Sequence, residues 1–173
     1  MTPQPRQTER VESKMTVAVH EIGHAWAYTS AGLRLRYATI RPRDARLTGV
    51  CRPWKPREVA WDTYAWIGAA GPIAEAVYTF NSEPDEFDFE DHLTAAVLTG
   101  GCDDYEVAGH MLDAADVIEA LRDQLTQSWS AILSTAERLL EVGTLTGVEL
   151  WTGLTPAAGR GNVAYVKGRR PAQ

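Results

Sequence analysis

Hydrophobic positions change their period several times along the chain, and each change marks an expected element. Over residues 9–31, Val17, His20, Glu21, His24 and Tyr28 recur at spacings of three and four, which predicts a helix with Gly32 as its C-terminal cap. "LRLRYATIRP" then alternates apolar and basic residues until Pro42, and "LTGVC" follows a short polar turn. These predict two short strands, a hairpin, with residues 37–41 the clearer one. Residues 56–80 predict a second long helix: "PREVAWD" places Pro in the first turn with acids close behind. Its middle, "WIGAAGPIAEAV", is rich in small residues and predicts close packing against another helix, with a kink or split at Gly71-Pro72.

"NSEPDEFDFEDH" reads as an acidic surface loop leading into a short helix over 92–98. After the "TGG" break a third helix is expected over "CDDYEVAGHMLDAADVIEAL", with Ala108, Met111, Leu112, Ala115 and Ile118 on one face. A fourth should cover 121–142, capped by Gly143, with "LTGVELW" as a last short turn of helix. No internal repeat is present. The expected fold class is mainly α with a small β-sheet or hairpin. The organisation expected is a disordered N-terminus over 1–8, one domain over 9–154, and a C-terminal tail over 155–173.

Composition narrows the function. With 173 residues and 45% hydrophobic content, one domain with a sizeable core is expected. The net charge of −6 offers no broad basic footprint to nucleic acid or anionic lipid. Local basic clusters, "RLRYATIRPRDAR" and "KGRR", read as solvated surface. Two cysteines, Cys51 and Cys102, fit a reducing compartment. The polar "MTPQPRQTERVESK" lacks the apolar core of a signal peptide, and no long apolar run predicts a membrane span. The expected location is the cytoplasm.

The chemistry concentrates in "AVHEIGHAW", an H-E-x-x-H motif in a helical run. Positions i and i+4 share a helix face, so His20 and His24 can converge on one metal. Glu21 projects beside them and can act as general base on a water activated by zinc. No charged side chain other than Glu21 lies between Val17 and Trp26, as a buried metal helix requires. A third ligand is needed. The compact form of the motif would place a His where Ser30 stands and a Gly where Ala27 stands, so that class is excluded. Glu75, His92, Asp103, Asp104 and His110 remain as candidates. Asp103 and Asp104 open a helix after a Gly-Gly break, where the helix dipole favours an ionised carboxylate.

"VHEIGHAWAYTSAGLRLRYATIRPR" resembles the start of the peptidase domain of FtsH, the AAA-type zinc protease of bacteria and organelles. "WIGAAGPIAEAVYTF", "TGGCDDYEVA" and "WSAILSTAERLLEVGTLTGVEL" are similar to further blocks of that domain, in its order and at nearly its spacing. The resemblance runs from about Met15 to Leu150. It implies an FtsH-peptidase-like helical zincin domain over 9–154, with Zn2+ held by His20, His24 and Asp104. By the same resemblance Glu21 is the general base and Glu75 is an acid that orients a ligand rather than binding zinc. Thr48, Gly49, Val50 and Cys51 correspond to a substrate-side edge, where a polypeptide could add as a strand.

The departures shape the expectation. No G-x-x-x-x-G-K-[ST] phosphate loop is present, so no ATPase domain is expected, and no membrane anchor is expected. The family's Gly-Gly-Arg becomes Ala70-Gly71-Pro72, and its Ser-Asn before the ligand becomes Cys102-Asp103. The function expected is a stand-alone, ATP-independent zinc endopeptidase acting on unfolded segments or peptides. Folded substrates would require a separate unfoldase or a dedicated protein partner. The family's peptidase domain assembles as a ring of six, which leaves homo-oligomerisation open. The alternative is a catalytically silent, zinc-binding regulatory or interaction module of the same fold.

Overall fold

The computed structural model describes residues 7–44, 46–54, 59–80, 91, 93–95 and 115–155. In chain order the elements are α1 (Gln7–Ser30), β1 (Leu35–Thr39), β2 (Val50–Pro53), α2 (Trp61–Thr79), α3 (Ala115–Gln127), α4 (Trp129–Val142), β3 (Thr144–Thr146) and α5 (Gly147–Leu154). The molecule is mainly helical with one small antiparallel sheet, ordered β2-β1-β3. No helix among the described residues is long and apolar enough to cross a membrane.

Helix α1 is the centre of the core, packed most extensively on α2 and then on α4. Val19, Ile22, Ala25 and Trp26 are buried on α1, and Ala69, Ala70, Ile73 and Ala74 face them from α2. The small residues of α2 set this approach. A β-carbon on Gly23 would fall 2.6 Å from the Ala70 carbonyl oxygen and 2.7 Å from the Ala74 Cβ. The two helices therefore cross nearly backbone to backbone, which removes a large apolar area from water on both.

Several boundaries differ from expectation. Helix α1 begins at Gln7, inside the stretch expected to be disordered. Helix α2 begins at Trp61 rather than at 56: Ala60 is extended (ψ 140°) and has no side-chain cap bond, and its carbonyl accepts the Tyr64 N–H at 3.1 Å. Pro72 does not split α2, which runs unbroken to Thr79. Pro72 is fully buried, so packing holds the helix together across the missing N–H. The short helix expected over 92–98 and the start of the third helix fall largely outside the described residues, as do 155–173 except Thr155.

The boundary between α3 and α4 lies at Ser128, not near residue 121. Ser128 (φ −102°, ψ 9°) donates its N–H to Leu125 three residues back, and its carbonyl accepts the N–H of both Ala131 and Ile132. That tight turn ends one helix and starts the next. The two glycine caps are as expected, with Gly32 at φ 71° and Gly143 at φ 81°, the latter donating its N–H to the Leu139 carbonyl at 2.7 Å.

The strands are shifted and one was unforeseen. β1 ends at Thr39, two residues before the expected end, because the Thr39 hydroxyl accepts the Arg41 N–H at 3.0 Å and turns the chain. β2 runs to Pro53, on the sheet edge where proline is tolerated. "LTGVELW" is not one helical turn: Thr144–Thr146 pairs with β1, Thr39 opposite Thr144, and α5 follows. Leu145, Leu150 and Leu154 then close the core beneath β1.

Candidate metal centre

His20 and His24 lie on the α1 face that meets α2 and Glu21 lies beside Gly49, each only 7% exposed. Their depth follows from the Gly23 crossing, which draws α2 over this face. Each imidazole is fixed by a partner on α2. His20 Nδ1 lies 2.8 Å from the Glu75 Oε2 atom, and His24 Nδ1 donates to the Ile67 carbonyl oxygen at 2.8 Å. A carbonyl only accepts, so the His24 proton sits on Nδ1. An ionised Glu75 fixes His20 in the same tautomer.

Both Nε2 atoms are thereby left with lone pairs, and they face one another at 3.1 Å. The rings meet edge to face, with centroids 4.8 Å apart. Two acceptor nitrogens this close are compatible when a cation lies between them, either a proton on one ring or a metal ion shared by both. Two imidazoles on a tetrahedral zinc, at about 2.0–2.1 Å each, would hold their nitrogens about 3.3–3.4 Å apart. The observed separation is close to that, so the pair fits zinc with little adjustment.

Two glycines give the site its room. A β-carbon on Gly71 would collide with the His24 ring at Nε2, and one on Gly49 would fall 2.5 Å from Glu21 Oε1. Gly71 was not foreseen as a site residue; its signal is the unbroken run of small residues in "GAAGP". Gly49 was expected on the substrate edge, and it brings the chain entering β2 against the Glu21 carboxylate. Thr48 precedes it outside the strand, while Val50 and Cys51 lie in β2, opposite Thr39 and Ala38.

Of the residues expected to form the centre, the structure brings together His20, His24 and Glu75, and it places Gly49 beside Glu21, which follows His20 on α1. Asp104, the ligand implied by resemblance, lies outside the described residues, as do His92, Asp103 and His110. Among the described residues no set of three or more His, Cys, Asp or Glu side chains is placed to hold a metal ion. The described part of the centre is thus two nitrogen donors, their supports and an adjacent carboxylate. Compared with models of known protein families the chain matches none, and comparison with curated proteins likewise finds no match.

Proposed function

We propose that the chain is a zinc-dependent endopeptidase of the FtsH type, cleaving unfolded segments or peptides. The observation that carries this reading is the facing pair of His20 and His24 Nε2 atoms, 3.1 Å apart, on the helix turn that also presents Glu21. The resemblance of the sequence blocks to the FtsH peptidase domain supports it, and Asp104 is the third ligand that resemblance supplies.

His20 and His24 would hold the metal with Asp104, and Glu75 and the Ile67 carbonyl would keep both rings in the binding tautomer. A bound zinc ion contributes Lewis acidity, polarising a peptide carbonyl and acidifying water. The chain's own part is proton handling and positioning. Glu21 would accept a proton from the attacking water as the new C–O bond forms, and would then pass that proton to the amide nitrogen, so that the peptide C–N bond breaks and the products leave as a carboxylic acid and an amine. Burial of Glu21 strengthens its interactions with the reacting groups. β2 is an edge strand of the described sheet, and Gly49 just before it lies beside Glu21. A polypeptide adding along that edge gains main-chain hydrogen bonds and passes the carboxylate.

The test is zinc content with turnover. The purified chain should carry about one zinc per molecule. Glu21→Gln should keep that zinc and lose cleavage of an unfolded protein such as casein by at least about a hundredfold. Asp104→Ala should lose both. A chain that folds normally and takes up no zinc would sink the reading, whereas zinc with no cleavage of any peptide would favour a silent binding module.

A further inference from the structure

The arginines of "RLRYATIRPRDAR" read as solvated surface in the sequence; in the fold Arg36 stands beside the strand edge assigned to substrate, whereas Arg41 lies against Gly143 on the β3 side. We propose that this edge selects acidic polypeptide segments; the inference rests on the peptidase reading and names its substrate class. Residues 34–54 hold six arginines and one aspartate, in a chain whose net charge is −6. Arg34, Arg36, Arg41, Arg43, Arg46 and Arg52 are all exposed. Only Arg46 is neutralised by a described carboxylate, that of Asp44 at 2.7 Å. The positive charge is therefore concentrated in the β1–β2 segment, and the sequence outside it is acidic on balance.

Two of these arginines are placed on the outer face of the edge. Cys51 stands opposite buried Ala38, so Val50, Arg52 and Trp54 alternate onto the other face. Trp54 is 58% exposed, an unusual position for so large an apolar ring. The Arg36 guanidinium lies over that ring, 5.3 Å from its centroid. The register irregularity between Leu35 and Tyr37 gives Arg36 the freedom to reach it. A strand added beside β2 would place its outward side chains next to Arg52 and near the Arg36–Trp54 stack. Carboxylates there gain from cross-strand pairing, and lysines or arginines are repelled. Arg52 lies three residues from Gly49, about 10 Å along the strand. The acidic preference is thus felt about three residues from the bond held beside Glu21. A nucleic acid has the right charge but no strand edge to pair, so the polypeptide is the better fit.

Three quenched-fluorescence peptides test this on the zinc-loaded full chain, each with one apolar centre flanked on both sides by Glu, Gln or Lys. The expected order of kcat/KM is Glu above Gln above Lys, with about tenfold between the extremes and a marked loss of that ratio at high salt. Arg52→Glu and Arg36→Glu should each lower the Glu-to-Lys ratio about fivefold, with Arg52→Gln intermediate. Equal cleavage of the Glu and Lys peptides, or a ratio unmoved by these variants, would overturn the inference while leaving the peptidase reading intact. If no peptide is cut, the peptidase reading fails, and labelled forms of the same peptides decide the selectivity by fluorescence anisotropy. Tighter binding of the Glu peptide that is lost in Arg52→Glu supports it; equal binding, or displacement of that peptide by a tighter-binding single-stranded oligonucleotide, overturns it.

Discussion

Gly71 and Gly49 make contact with different halves of the centre, and this separates two losses that are usually confounded. A methyl group at Gly71 meets the His24 Nε2 atom and so acts on a proposed metal ligand; a methyl group at Gly49 meets the Glu21 carboxylate and so acts on the proposed base. Gly71→Ala should therefore weaken zinc binding about 10–100-fold, the range for disturbing a ligand's supports. Gly49→Ala should retain zinc and lower kcat. A chelator competition series on both variants, beside their peptide kinetics, checks the split. A Gly71→Ala protein that holds zinc normally would show that the ring has another place to go. His20, Glu21 and His24 were legible because one short motif fixes their spacing on a helix. Gly71 was not, because what it does depends on a ring 47 positions earlier in the chain that only the α1–α2 crossing brings near.

At the level of elements, period and punctuation found the long helices and the glycine caps, while short pieces went astray. The three residues of β3 are too few to show alternation, so Thr144–Thr146 was absorbed into the helix that follows. The missed signal is T-x-x-E. The Thr146 hydroxyl accepts the Glu149 N–H at 3.4 Å while the Glu149 carboxylate accepts the Thr146 N–H at 2.8 Å, a capping box that starts α5 at Gly147. The Thr146 N–H first, and its hydroxyl second, hold the Glu149 carboxyl below the usual carboxylate range. Because the folded value is the lower one, this contribution to stability is complete above the unfolded value and disappears as pH falls through the folded one. Glu149→Gln should therefore be less stable than the parent at neutral pH, and the difference should close on acidification. Urea titrations at several pH values measure it; a constant gap would contradict the assignment.

For the whole molecule, composition and pattern were enough to expect a mainly α domain with a small sheet. They could not show that the sheet is closed by the other end of the described chain. β1 is central, held by β2 on one side and by β3 on the other, and the Thr39 hydroxyl lies 2.9 Å from the Gly143 carbonyl and 2.7 Å from the Thr144 hydroxyl. A chain ending at Gly143 would leave β1 without that neighbour and remove Leu145, Leu150 and Leu154 from the core. It should lose cooperative thermal unfolding by circular dichroism and aggregate, even though His20, Glu21, His24 and Glu75 are all still present. Sharp unfolding in the truncated chain would show that the sheet contributes little to the fold.

That closure also has a clock. Thr39 and Thr144 are 105 residues apart. At the ordinary pace of protein synthesis the ribosome needs about 5–20 s to travel between them. During that interval α1, β1, β2 and α2 have all been made, and the two histidines can already meet Glu75. The far side of β1 has no strand to receive it. A newly made molecule can thus bring its histidine pair together before it can finish its sheet, and its most aggregation-prone moment falls between those two events.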